Sequence, residues 1–190
     1  MNTPMYEDFL SSDDDIYQFE TDMGNGKYKE WINRFPEHKL SIFGSLLCYY
    51  GNFVKEEDII YFVDKGIDLN IESNVYPSDY AGTTPLIYAC EHRYENLIKY
   101  LLKHGADVNF NDQQKMCPLE SVFLGHNPYA LERVEETEKC VRILIENGSI
   151  KQLKGISDDE FHYIYDEYIE KSPYLKNVIS DIKFDVIDNQ

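Results

Sequence analysis

Three groups of residues in this chain have side chains suited to chemistry, and their spacing decides what each can do. Asp107-x-Asn109-x-Asn111 opens like a calcium loop, in which alternate oxygen ligands converge on one cation. That loop needs glycine at its sixth position and glutamate at its twelfth, where this chain has Asp112 and Pro118, so no calcium site is expected. His126 shares a segment with Cys117 and Cys140, and a cysteine nucleophile requires such a base. A catalytic site in the 126–140 stretch is therefore one reading; buried packing is the usual role of a free cysteine and is the expectation here, with no catalytic residue assigned. His38, His92, His104, His126 and His162 never fall in metal-ligand spacing, so neither a metal nor a cofactor is expected. His104 suits a helix end, where positive charge is favourable.

Phosphate and acyl chemistry find no support. "MGNGK" at 23–27 is glycine-rich but lacks the phosphate-loop spacing, and it reads as a connection. No G-x-S-x-G or G-x-G-x-x-G occurs. Acidic pairs such as Glu56-Glu57, Glu135-Glu136 and Asp158-Asp159 suit helix starts and solvent faces.

Charge narrows the partner class. The 190 residues carry 35 acidic and 18 basic side chains, a formal net charge of −17. Nucleic-acid surfaces are built on clustered Lys and Arg, so nucleic acid is not an expected partner. A basic protein is, because an acidic surface attracts it over distance. "MNTPMYEDFLSSDDD" has neither the basic region nor the apolar core of a secretory signal, and "SIFGSLLCYYGNFV" is too short to span a bilayer. The expectation is a cytoplasmic protein without membrane partners, whose Cys48, Cys90, Cys117 and Cys140 stay reduced.

The elements that must position these residues repeat. Pro85 and Pro118 lie 33 residues apart, in "TPL" and "CPL". "YFVDKGIDLN" (61–70), "YLLKHGADVN" (100–109) and "RILIENGSI" (142–150) each end an apolar helix on a glycine. Gly66, Gly105 and Gly148 are thus expected in the left-handed conformation that closes a helix. Thr84 before Pro85 predicts a helix start, and Leu97, Ile98, Tyr100, Leu101 and Leu102 predict a broad apolar stripe.

On these residues the chain resembles the ankyrin repeats. "DYAGTTPLIYACEHRYENLIKYLLKHGADVN" (79–109) follows the family pattern at Asp79, Gly82, Thr84, Pro85, Leu86, Ala89, Leu101, Leu102, Gly105, Ala106, Asp107 and Asn109. Ile87 replaces the family's histidine and Cys90 its second alanine. In 110–150, Asp112, Pro118 and Leu119 hold, while Lys115 stands for the glycine and Cys117 for the threonine. The 40–70 unit keeps only the helix-turn-helix rhythm.

The resemblance implies an all-α fold: a short solenoid of about three helix-turn-helix units with helical caps at both ends. The expected divisions are an acidic N-terminal segment (1–24), a leading helix (25–39), repeats at 40–70, 71–109 and 110–150, and a C-terminal helical cap (151–190). Trp31, Ile32 and Phe35 give the leading helix its apolar side. Ser157 and Glu160 suit a capping box, and Ser172-Pro173 a second helix start.

The resemblance also implies function. Such repeats present a concave surface for non-catalytic protein binding. The implied partner contacts are Tyr80, Ala81, Thr83, Glu91 and His92, then Gln113, Gln114, Met116, Leu124 and Gly125. Small acidic chains of this type are similar to bacterial immunity proteins that neutralise a basic toxin. The alternative is a viral or host-directed effector that engages a signalling protein.

Overall fold

Phe19 and Met23 sit four residues apart and share one helix face, and both are buried. They make the chain's acidic beginning part of a folded body. In the computed structural model, which describes residues 10, 13–50, 54–70, 83–110, 117–124, 133–153, 168 and 170–184, the first helix, α1, runs Asp13–Gly24. The second half of the expected acidic segment (1–24) is thus a helix. Its buried face, with Phe19 and Met23, packs on the next two helices, α2 (Tyr28–Arg34) and α3 (Lys39–Tyr50). A 3₁₀ turn at Pro36–His38 joins these two. Helix α4 (Glu56–Asp64) completes the unit, which spans residues 1–84.

Asp22 organises this unit. One of its oxygens accepts from Gln18 Nε2 at 3.0 Å and lies 3.1 Å from Lys27 Nζ; the other accepts from Trp31 Nε1 at 3.2 Å. Lys27 N also donates to the Asp22 carbonyl at 2.8 Å, closing the turn in which Gly26 takes a φ of 73°. "MGNGK" is therefore the α1–α2 connection that the sequence predicts. Trp31 is a core residue, edge-on to Phe19 at 5.1 Å and stacked on Phe35 at 5.9 Å. Tyr28 stacks on Phe62 at 5.3 Å, Phe62 meets Phe43 at 5.0 Å, and Ile42 and Ile59 fill the remaining interior.

The second unit spans residues 85–190. Helices α5 (Pro85–Glu91) and α7 (Pro118–Leu124) form one layer, and α6 (Glu95–Lys103) and α8 (Val134–Glu146) the other. Both first-layer helices begin at the proline that the sequence marks. Its missing N–H is harmless there, and its ring fixes the helical φ. The stripe of α6 is as expected at Leu97, Ile98 and Leu101, all fully buried, whereas Leu102 is only half-buried.

A helix α9 (Pro173–Ser180) packs on α8. Ser172 caps it by accepting from Leu175 N at 3.1 Å, and its hydroxyl donates to Glu138 Oε2 at 2.6 Å. Arg142 reaches the other Glu138 oxygen at 2.6 Å and lies 3.5 Å above the Tyr174 ring. Two-residue strands β1 (Gln152–Leu153), after α8, and β2 (Lys183–Phe184), after α9, pair in parallel, so the chain's final stretch starts as a strand. Ser157 and Glu160 lie outside the described residues.

Burial of Asp22 works to raise its carboxyl pKa, but hydrogen bonds from Lys27, Trp31 and Gln18 outweigh it and hold the group below 3.8. A depressed folded-state value means that the stabilisation is complete above the unfolded pKa and is lost as pH falls through the folded one. The melting temperature should therefore drop below about pH 4, and Asp22→Asn should melt lower at neutral pH with a flatter acid limb. Melting curves from pH 7 to pH 2.5 check both.

Candidate interaction surface

Each second helix ends in the same way. The residue after the glycine donates its N–H five residues back: Ile67 to Phe62 O at 3.2 Å, Ala106 to Leu101 O at 3.1 Å, and Ser149 to Leu144 O at 2.9 Å. Gly66, Gly105 and Gly148 have φ values of 77°, 94° and 91°, which a side chain would strain. These reversals carry the chain into its loop tips. Asp68 and Asp107 then each accept from an N–H two residues on, at 3.0 Å from Asn70 and 2.9 Å from Asn109. This fold-back explains Asp-x-Asn without a cation.

Asn109 ties the two tips of the second unit together. Its amide donates to Gly148 O at 3.1 Å, and its carbonyl oxygen accepts from Ile150 N at 2.8 Å. Ile150 is left 58% exposed at the tip. Sequence reading missed it, although the signal was present. With the glycines superposed, Ile150 falls where the central repeat has Asp107, an apolar residue at a position that faces water.

The turn between α5 and α6 is the second feature. Arg93 has a φ of 56°, the left-handed region, yet its side chain is only 3% exposed. Its guanidinium donates to Thr137 Oγ1 at 2.9 Å, Glu91 O at 3.3 Å and Phe123 O at 3.5 Å, joining α5, α7 and α8. Arg133 NH1 reaches His92 O at 3.4 Å from the same side. His92 is half-buried and stacks on both Tyr88 at 4.3 Å and Tyr94 at 5.4 Å.

The expected contacts divide accordingly. His92 reaches the surface as one edge of this aromatic stack. Thr83 and Glu91 do not, being 2% and 6% exposed, so neither offers its side chain to a partner. The pattern places both on the groove side, but the local packing encloses them. Tyr80, Ala81, Gln113, Gln114, Met116 and Gly125 lie outside the described residues, as does the Leu124 side chain. His126 is outside them as well.

Cys90, Cys117 and Cys140 are buried free thiols. Burial pushes Cys117 and Cys140 each up to about 11, and Cys90 well above 9.0. Cys117 stands at the start of α7, where its sulfur accepts from the Glu120 and Leu119 amides, the capping task of the threonine it replaces. Protonated thiols make poor nucleophiles and poor metal ligands at neutral pH. Among the described residues no group of three His, Cys, Asp or Glu side chains is placed to hold a metal, and no helix is long and apolar enough to cross a membrane.

Residues 45–119 match the family model for ankyrin repeats (3 copies). A 71-residue stretch, 37% of this chain, is 41% identical to the putative ankyrin repeat protein FPV222 of Fowlpox virus (strain NVSL). The match covers 9% of that protein, so this chain spans only a small part of the relative's length.

Arg93→Ala should lose about 1–3 kcal/mol of stability, because it strands polar partners in the interior. Arg93→Gly should lose less by about 1 kcal/mol, since glycine accepts the left-handed turn. Denaturant titration of the three proteins gives the order. In the native protein, Cys90, Cys117 and Cys140 should resist a thiol reagent at pH 8 and react fully in denaturant, as peptide mapping would show.

Proposed function

We propose that this chain, in which residues 45–119 match the ankyrin-repeat model, acts as a non-catalytic docking module for a basic protein. The observation that carries this reading is the repeat match over 45–119, since ankyrin repeats serve as protein-interaction units. The net charge of −17 supports a basic partner, drawn in by long-range attraction. Neutralisation of a toxin-like protein, as an immunity protein in the cytoplasm, is the specific form of the reading. The contact set is Tyr80, Ala81, His92, Gln113, Gln114, Met116, Leu124 and Gly125, with Ile150 added at the tip. Aromatic and large apolar anchors of this kind dominate binding energy at interfaces.

The similarity to a fowlpox virus protein favours a second reading, in which a viral or host-directed effector occupies a host signalling protein. Salt and charge separate the two. Protein immobilised on a sensor and exposed to lysate of its source organism at low salt should retain one basic protein, and affinity should fall steeply with added salt. With that partner purified, His92→Ala and Ile150→Glu should each weaken binding about tenfold. Lys103→Glu, on the opposite layer, should not. Capture of a neutral or acidic partner, indifferent to salt, would replace the first reading by the second.

A further inference from the structure

A cavity of about 530 Å³ opens in the first unit, between the α1–α2 turn, α2, α3 and the start of α4. The space is open to solvent on one side, and its volume falls within the roughly 300–1,000 Å³ range of small-molecule sites. Its floor is apolar: Met23, Leu46 and Val54 line it, each otherwise enclosed. Gly26 forms part of the wall, and a β-carbon there would meet nothing within 4 Å.

The polar lining is unequally committed. Asp58 accepts from the Tyr28 hydroxyl on one oxygen and from Lys55 N at 2.9 Å on the other. Its charge is thus engaged from within the unit. Glu57 also lines the space, exposed in the first turn of α4, where the helix dipole favours a carboxylate. Lys29 and Lys55 also line the space, and neither ammonium makes an ion pair within 4.0 Å among the described residues. Lys29 is held over the Tyr61 ring at 4.9 Å and the Tyr28 ring at 5.7 Å, which keeps its charge beside the opening.

We propose that this cavity is a binding site for a small amphiphilic carboxylate. The apolar body rests on Met23, Leu46 and Val54, and the carboxylate lies between Lys29 and Lys55. The site shares no residue with the proposed protein-docking surface, so either can fail without the other. Octanoate and octanol are suitable probes, with equal chain length and different heads. Calorimetric titration of the full chain should give octanoate about tenfold tighter binding than octanol at low salt, an advantage that shrinks at about 0.5 M salt. In Lys29→Gln/Lys55→Gln, two exposed positions whose change leaves the core intact, octanoate should fall to the level of octanol. Equal affinities in the unaltered protein, octanoate binding untouched by the double substitution, or no binding by either compound would each overturn the proposal.

Discussion

A helix can be followed by a second only if its last carbonyls are satisfied while the chain turns back, and this protein solves the problem identically three times. At Gly66, Gly105 and Gly148 a positive φ lets the next N–H return to a carbonyl five residues earlier. The bond saves a buried polar group from being stranded, and the turn sets the direction of the loop tip that follows. The arrangement of the tips, from the Asp107 fold-back to the Asn109 bridge and exposed Ile150, depends on that reversal. A β-carbon at any of these glycines would be paid for in strain although space is available, since nothing crowds Gly105 or Gly148.

The two units find their polar anchors differently. In the first, one carboxylate collects donors: Asp22 receives Gln18, Lys27 and Trp31, so a strongly acidic segment becomes structure through hydrogen bonding at a single position. In the second, one guanidinium distributes donors among three helices. Both arrangements place charge where desolvation is costly and answer it with several hydrogen bonds, the condition under which a buried charge is tolerated. The Glu138–Ser172 contact performs similar service where α9 meets α8.

Local signals were legible and long-range ones were not. Proline at the helix starts and glycine at their ends act through backbone geometry within a few residues, so Pro85, Pro118 and the three glycines could be read directly. The helical character of the acidic beginning was obscured because Phe19 and Met23 gain their stabilisation from α2 and α3, not from neighbours in sequence. Arg93 was invisible for the same reason: its partner Thr137 lies 44 residues away. Thr83 and Glu91 were assigned to the surface by family position, and only packing places them inside. The cavity near Lys29 is likewise a property of how four elements meet, which no periodicity encodes.

The arginine in the α5–α6 turn has a bearing on how this chain can change over generations. Repeat arrays ordinarily grow and shrink by duplication or loss of single units, because each contacts its neighbour through a shared generic surface. Here the central repeat reaches into the next one for Thr137 and the Phe123 carbonyl. A unit inserted between them would leave the buried guanidinium with only its Glu91 acceptor. The pair spanning Pro85 to Glu146 is therefore joined at its internal boundary by hydrogen bonds that an inserted unit would break.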